Sequence, residues 1–400
     1  MWLYCHTSGS TLIRCQIALD CMLLRQLTSV GWSFSGARQV MLRSVGQYVD
    51  RRYSAKRVTQ ADRKAAEILS LPSGASSDEQ RPDIAFGSCR IAMAVCTAKR
   101  PRMLHYCLES LGSQIVRSKT TVYVVVVDNE AEPNNQAFVQ EFSRRCRFPV
   151  HYLHEPRRGI PQARNAALRK CQDLGVDWIA FTDDDCWVSP TWLASLLDAA
   201  ARYKADVIYG RREFVFPGPL PFWAMRPEQG VYAEGQELAY AGTHNVLLTA
   251  RLLGQGGHAG MCFDERLMHG EDTDFFHRAA LRGSRIVYSA EPLVLETVLP
   301  DRATLSYQTR RAYHYAASRS FFHRRYKGAA SAAIKLGARV AFQAPTAVAR
   351  LAAAPFAWPF SEDAFRDLTT KGTARLAGTV GATMGLFGLV GNPYLHIDGH

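Results

Sequence analysis

Between residues 90 and 203, short continuous apolar runs alternate with longer stretches whose apolar residues recur every third or fourth position. The first run, RIAMAVCTAKRP (90–101), reads as a buried strand ending in polar residues, and PRMLHYCLESLGSQ after it has helical spacing. The pattern then repeats. TVYVVVVDNE (121–130) is a β-branched strand, NNQAFVQEFSRRC a helix, FPVHYLHEP a third strand, and GIPQARNAALRKCQDLG a helix stopped by Gly175. VDWIAFTDDD is a fourth strand. SPTWLASLLDAAARY is a helix with Ser189 as the expected N-cap and Pro190 at the first helical position. Strands apolar on both faces and separated by helices predict a mostly parallel α/β sheet. Such sheets bind ligands beyond the carboxyl ends of their strands. Thr97, Asp128 and Asp183–Asp185 all fall at such ends and converge on one crevice.

Residues flanking this region differ in composition. Residues 1–89 lack a strand pattern and read as an amino-terminal extension, partly disordered, with a linker at LPSGASSDEQRPD (71–83). The α/β domain spans 90–325, and a basic, apolar carboxyl-terminal region spans 326–400. Formal net charge is +12 for 400 residues. From residue 301 onward, 13 Lys/Arg stand against 5 Asp/Glu. That excess suggests an anionic partner, and basic residues interleaved with Tyr313, Tyr315, Phe321, Phe322 and Tyr326 suit a membrane surface. No aromatic RNA-binding motif accompanies them, so nucleic acid is not expected. The ten cysteines are scattered without a CxxC pair, which suits a reduced, cytoplasmic setting. Residues 1–30 make a poor secretory signal. GTARLAGTVGATMGLFGLVG (372–391) is long but glycine-rich and carries Arg375, so it reads as interfacial in preference to spanning, and both it and PTAVARLAAAPFAWPF read as interfacial or hairpin-like segments.

Three adjacent carboxylates, Asp183, Asp184 and Asp185, abut the apolar strand WIAF. A first-turn helix dipole favours one such acid by ~0.3–1 kcal/mol and does not account for three. A hard divalent cation, Mg²⁺ or Mn²⁺, would compensate them and bridge substrate phosphates. If the segment stays extended, Asp183 and Asp185 share one side and Asp184 faces elsewhere. A second acidic group lies in FDERLMHGEDTDFFHRAALRG (263–283), where Glu271, Asp272 and Asp274 open a helix. One of them can serve as a general base at the crevice rim. His244 and His269 are secondary metal-ligand candidates, and AGTHNVLLTARLL (241–253) is expected to line a substrate pocket.

In order along the chain, AVCTAKRP, VVVVDN, GIPQARNAAL, FTDDDCW…PTWL and FDERLMHGEDTDFFHRAALRG resemble the family 2 glycosyltransferases of GT-A fold. LETVLPDRATLSYQTRRAYHYAAS resembles the succinoglycan-type exopolysaccharide members. The resemblance covers about residues 90–325. It implies Thr97 and Arg100 near the nucleoside, Asp128 on the base, Arg164 near the nucleotide, Asp183 on the sugar, Asp185 on the metal and Asp272 as general base. It further implies an inverting transfer from a nucleotide-sugar, a UDP-sugar by preference, to a lipid-linked or polysaccharide acceptor at the cytoplasmic face of a membrane. The sequence departs from the family in three places. Asn129 replaces a second acid and no Gly-Ser follows it. The QxxRW motif of processive synthases is absent, although Arg310 and Arg311 occupy a loosely similar region. Residues 1–89 have no counterpart. A nucleotidyltransferase and a non-enzymatic basic membrane-binding module are the alternative readings.

Overall fold

The computed structural model describes residues 88–117, 119–216, 222–223, 232–254, 260–267 and 269–390, all within one compact unit, Tyr53–His400. The expected amino-terminal extension, apart from its last two residues, and its linker at 71–83 lie outside the described residues. Eight strands form a single sheet: β1 (Cys89–Thr97), β2 (Thr120–Asp128), β3 (Val150–His154), β4 (Trp178–Asp183), β5 (Cys186–Val188), β6 (Val207–Val215), β7 (Asn245–Thr249) and β8 (Ile286–Thr297). Their order is β3-β2-β1-β4-β7-β6-β8-β5. The first four are parallel, as the alternation of runs and helices requires. β7 then enters antiparallel between β4 and β6, so the sheet is mixed. The connecting helices are α1 (Pro101–Gly112), α2 (Gln136–Arg145), α3 (Ile160–Asp173), α4 (Trp192–Tyr203) and α5 (Glu271–Leu281).

Side-chain alternation along β1 divides the core. Ile91, Met93 and Val95 pack with Leu104 and Leu108 of α1 and with Trp192 and Leu196 of α4. Ala92 and Ala94 face the other way, toward Ala163 and Ala167 of α3 and Phe275 and Phe276 of α5. All five β1 residues are fully buried, which is why the run carries no polar alternation. Each large apolar side chain buried in this way contributes ~1.5–3 kcal/mol. The small residues of α3 let that helix sit close on the sheet, and Arg164 and Asn165 are therefore buried with it. The α4 helix starts later than its sequence suggests. Thr191 is the N-cap residue, and the Ser189 carbonyl accepts from Trp192 N at 2.9 Å in the preceding turn. The segment 241–253 also differs from expectation. Asn245–Thr249 is a fully buried central strand, and Gly242 just before it lies near Asp272.

Beyond β8 the chain is helical: α6 (Leu305–Lys327), α7 (Ala329–Ala338), a π-turn (Arg339–Gln343), α8 (Ala344–Ala357) and α9 (Glu362–Leu386). The glycine-rich stretch 372–390 packs one side against α6. Gly381 and Gly385 of α9 lie so close to α6 that a Cβ would stand 2.1 Å from Tyr313 O and 1.9 Å from Ala317 O. The glycines serve close helix packing, while Val380, Phe387 and Leu389 of the same stretch stay exposed.

Candidate active site

Strand register sets the crevice. Thr97 pairs with Asp128 across β1 and β2, and Cys96 pairs with Asp183 across β1 and β4. The carboxyl ends of three strands are thereby level, and the polar residues after them meet.

Arginine compensates the acidic triplet. β4 ends at Asp183, and Asp184–Asp185 form a turn before β5, so the extended alternation stops there. Asp184 and Asp185 are both buried, and Arg100 Nη1 donates to Asp184 Oδ1 and to Asp185 Oδ2, each at 3.0 Å. Thr97 Oγ1 donates to Asp184 Oδ2 at 2.8 Å. Arg302 Nη1 donates to Asp185 Oδ2 at 2.8 Å. Asp183 stands apart, with its side chain 41% exposed and Arg164 Nη2 at 3.5 Å from its Oδ1. The expected grouping of Asp183 with Asp185 against Asp184 is thus replaced by Asp184 with Asp185, because a turn does not keep the period of two. Burial raises both buried carboxyls, Asp185 well above the ordinary range, and Arg100 opposes the rise.

A second network lies alongside. Arg164, buried on α3, pairs with Glu271 at the start of α5 as well as with Asp183. Burial pushes Glu271 up to about 7 against the pull of Arg164. Asp274, fully buried, accepts from Arg278 Nε at 2.7 Å and from Tyr326 Oη of α6 at 2.5 Å. Asp272 is only partly buried and makes no ion pair among the described residues; its Oδ1 accepts from Thr273 N at 2.6 Å. Gly242 lies between Asp272 and His244, since a Cβ there would be 3.6 Å from Asp272 Oδ2 and 2.6 Å from His244 Cε1. His244 is buried, its Nε2 lies 3.0 Å from Tyr209 Oη, and burial holds it well below the usual histidine range. It is a satisfied core histidine. The α5 start is shaped by Gly270, which adopts φ 77° and abuts Phe322 of α6, 2.7 Å from where its Cβ would lie. A side chain there would be strained and would also clash.

Asp128 is fully buried. Its Oδ2 accepts from Asn135 N at 2.9 Å and Tyr152 Oη at 2.8 Å, while Oδ1 has no hydrogen-bond partner. Asn129, the departure from the family pattern, has its own structural task. Its Nδ2 donates to the Glu155 and Arg157 carbonyls at 2.7 and 2.9 Å, and its Oδ1 accepts from Gly159 N at 2.8 Å.

Thr97, Arg100, Arg164, Asp183 and Asp185 therefore lie in two adjoining networks, with Asp272 beside the second through Glu271 and Asp128 one strand away. Arg302 and the pairing role of Glu271 were not foreseen. Arg302 follows the last strand of the sheet, and Thr297 N bonds to Asp185 O at 2.9 Å, so the pairing of β5 with β8 delivers it. Arg310 and Arg311 are exposed.

Asp185 offers hard oxygen of the kind that Mg²⁺ or Mn²⁺ takes together with substrate phosphates, although Arg100 and Arg302 hold its Oδ2 here. Among the described residues no three His, Cys, Asp or Glu side chains gather to hold an ion unaided. The remaining ligands of a cation here would be phosphate and water oxygens.

An α/β crevice of this order, with acids at the ends of β2 and β4 and at the start of α5, defines a glycosyltransferase of GT-A fold. Residues 93–263 match the model of glycosyl transferase family 2. Over 235 residues the chain is 33% identical to the succinoglycan biosynthesis protein ExoM of Rhizobium meliloti (strain 1021), covering 56% of this chain and 72% of that protein. The chain belongs to glycosyltransferase family 2. Its fold is similar to that of the mannosyltransferase PcManGT from Pyrobaculum calidifontis, solved with GDP-Man and Mn²⁺ (17% identity, TM-score 0.51, 88% of this chain and 97% of that one). S. aureus TarS is a more remote likeness (19% identity, TM-score 0.42), and the match covers 56% of this chain and 39% of TarS.

Proposed function

We propose that the protein is a metal-dependent, inverting glycosyltransferase that moves a sugar from a nucleotide-sugar, a UDP-sugar by preference, to a lipid-linked or polysaccharide acceptor. The work is exopolysaccharide or cell-envelope glycan synthesis at the cytoplasmic face of a membrane. The observation that carries this reading is the division of labour among the acids. Glu271 and Asp274 are buried and tied to arginines, whereas Asp183 is partly exposed beside Arg164 and Asp272 makes no ion pair among the described residues.

Asp272 takes the proton of the acceptor hydroxyl. The hydroxyl oxygen then bonds to the anomeric carbon as the bond from that carbon to the diphosphate oxygen breaks. Attack opposite the leaving group inverts the centre, and the nucleoside diphosphate departs. Asp183 accepts from a sugar hydroxyl and is held in place by Arg164. Asp128 keeps an acceptor oxygen for the N–H of a uracil base, while Thr97 and Arg100 position the acidic turn. A bound cation, held by Asp185 and the diphosphate, would stabilise the charge of the leaving group. Removing divalent ions with a chelator is expected to stop nucleoside diphosphate release, and Mn²⁺ or Mg²⁺ to restore it. Full activity in chelator would overturn the metal dependence.

Arg302 competes with a cation for Asp185. Arg302→Ala removes one of two guanidinium groups from Oδ2 and should tighten Mn²⁺ binding without nucleotide about tenfold, equal to ~1.4 kcal/mol. Calorimetric titration measures it, and an unchanged affinity would mean that Asp185 is not the ligand.

A further inference from the structure

The helical arm made of α7, the π-turn and α8 has its polarity reversed. In a water-soluble helix the large apolar residues face the core. Here the fully buried residues are Ala332, Ala347 and Ala354, all at most 3% exposed, with Leu351 partly buried against Gly372 of α9. Large residues face outward: Ile334 is 75% exposed, Phe342 73% and Phe356 77%. The turn that follows continues this surface, with Trp358 at 51% and Phe360 at 89%. It is anchored, because Trp358 packs edge-on against Phe365 of α9 with ring centroids 4.4 Å apart. Exposed apolar area on this scale, gathered on one arm, marks an interaction surface.

Charge identifies what covers it. From Arg302 to Ser361 the chain has ten Lys/Arg and no Asp or Glu. On the arm itself, Lys335 and Arg350 are the charged side chains available to that surface, since Arg339 turns inward against Gly378 of α9. Basic residues beside Phe and Trp are the chemistry of an anionic lipid interface. No helix among the described residues is long and apolar enough to cross a membrane.

We infer that the outward face of α7–α8, with the aromatic turn 356–360, lies in the plane of an anionic bilayer, its apolar side chains among the acyl chains and its basic side chains at the head groups. The inference deepens the proposed function and rests on it for the acceptor. α6 has Arg302 on Asp185 just before its first turn and is joined to the arm at Gly328, so a lipid-borne acceptor is brought to the crevice by the helix that leads to the membrane.

The test is vesicle flotation of the full chain, using phosphatidylcholine with and without about one-third phosphatidylglycerol. The protein is expected to float with the anionic vesicles, less so in high salt, with Trp358 fluorescence shifting to the blue. The variant Phe342→Ser/Phe356→Ser/Phe360→Ser changes only exposed positions and leaves the Trp358 anchor in place, and it is expected to lose at least tenfold in partition. Its melting temperature and UDP affinity should stay unchanged. The inference is overturned by a wild-type chain that ignores anionic vesicles, by a triple variant that floats equally well, by carbonate-resistant insertion, or by a dimer that the triple substitution dissolves. Failure here is separable from failure of the proposed function. Donor turnover without flotation sinks only the surface, and flotation without turnover of any nucleotide-sugar sinks only the enzyme reading.

Discussion

Asp272→Asn is expected to lower sugar transfer by ~10²–10⁴-fold, the usual worth of a general base. The substitution keeps the size of the side chain and lets its amide oxygen still accept from Thr273 N, so the α5 turn is preserved. It removes the proton acceptor. Nucleotide affinity should hardly change, because Asp272 is absent from the Thr97–Arg100–Asp184–Asp185–Arg302 network. Single-turnover kinetics with a bound donor give the rate, and calorimetry gives the affinity. Near-normal turnover, or loss of donor binding instead, would give Asp272 another task. Glu271 and Asp274 make poor substitutes for it. Glu271 is engaged by Arg164, and Asp274 by Arg278 and Tyr326.

Arg164→Met should be the most destabilising single change at the site. It strands Glu271, which is 4% exposed, beside Asp272. Removing one partner of a buried ion pair costs ~3–5 kcal/mol, which for a domain of this size lowers the melting temperature by roughly 10 °C. The loss should depend on pH. Glu271 is raised by burial from an ordinary 4.5 to about 7. An acid raised in the folded state favours folding below its unfolded value and loses that contribution as pH rises through the folded value. Without Arg164 the folded value climbs further, so the variant should be near wild type at pH 5 and weakest at pH 8. Arg164→Met/Glu271→Gln should recover most of the stability. A melting temperature independent of pH, or no recovery in the double variant, would contradict the pairing.

The parallel half of the sheet was legible because strands buried on both faces leave unbroken apolar runs, and because the helices between them keep a period near 3.6. The same logic placed Thr97, Asp128 and Asp183–Asp185 at one edge. It failed where geometry depends on partners distant in sequence. β7 inserts antiparallel beside β4, and nothing in NVLLT specifies that direction. The acidic triplet was treated as extended, yet it turns after Asp183, and a turn places neighbouring side chains on a shared arginine. Arg302 lies 117 residues from Asp185, and only the β5–β8 pairing reveals the contact. The glycines of α9 read as interfacial by composition, and the structure adds that their missing side chains admit the backbone of α6. The neighbouring arm has large apolar residues pointing outward.

The central claim is that the crevice transfers a sugar and releases a nucleoside diphosphate. Its most direct test incubates the full chain with a panel of UDP-, GDP- and dTDP-sugars, Mn²⁺ and a membrane lipid extract, and identifies the nucleotide product. The account predicts that one donor yields its nucleoside diphosphate, with the sugar moved to lipid or glycan, and that Asp272→Asn binds the same donor without turning it over. Release of pyrophosphate from a nucleoside triphosphate, with no turnover of any nucleotide-sugar, would contradict it.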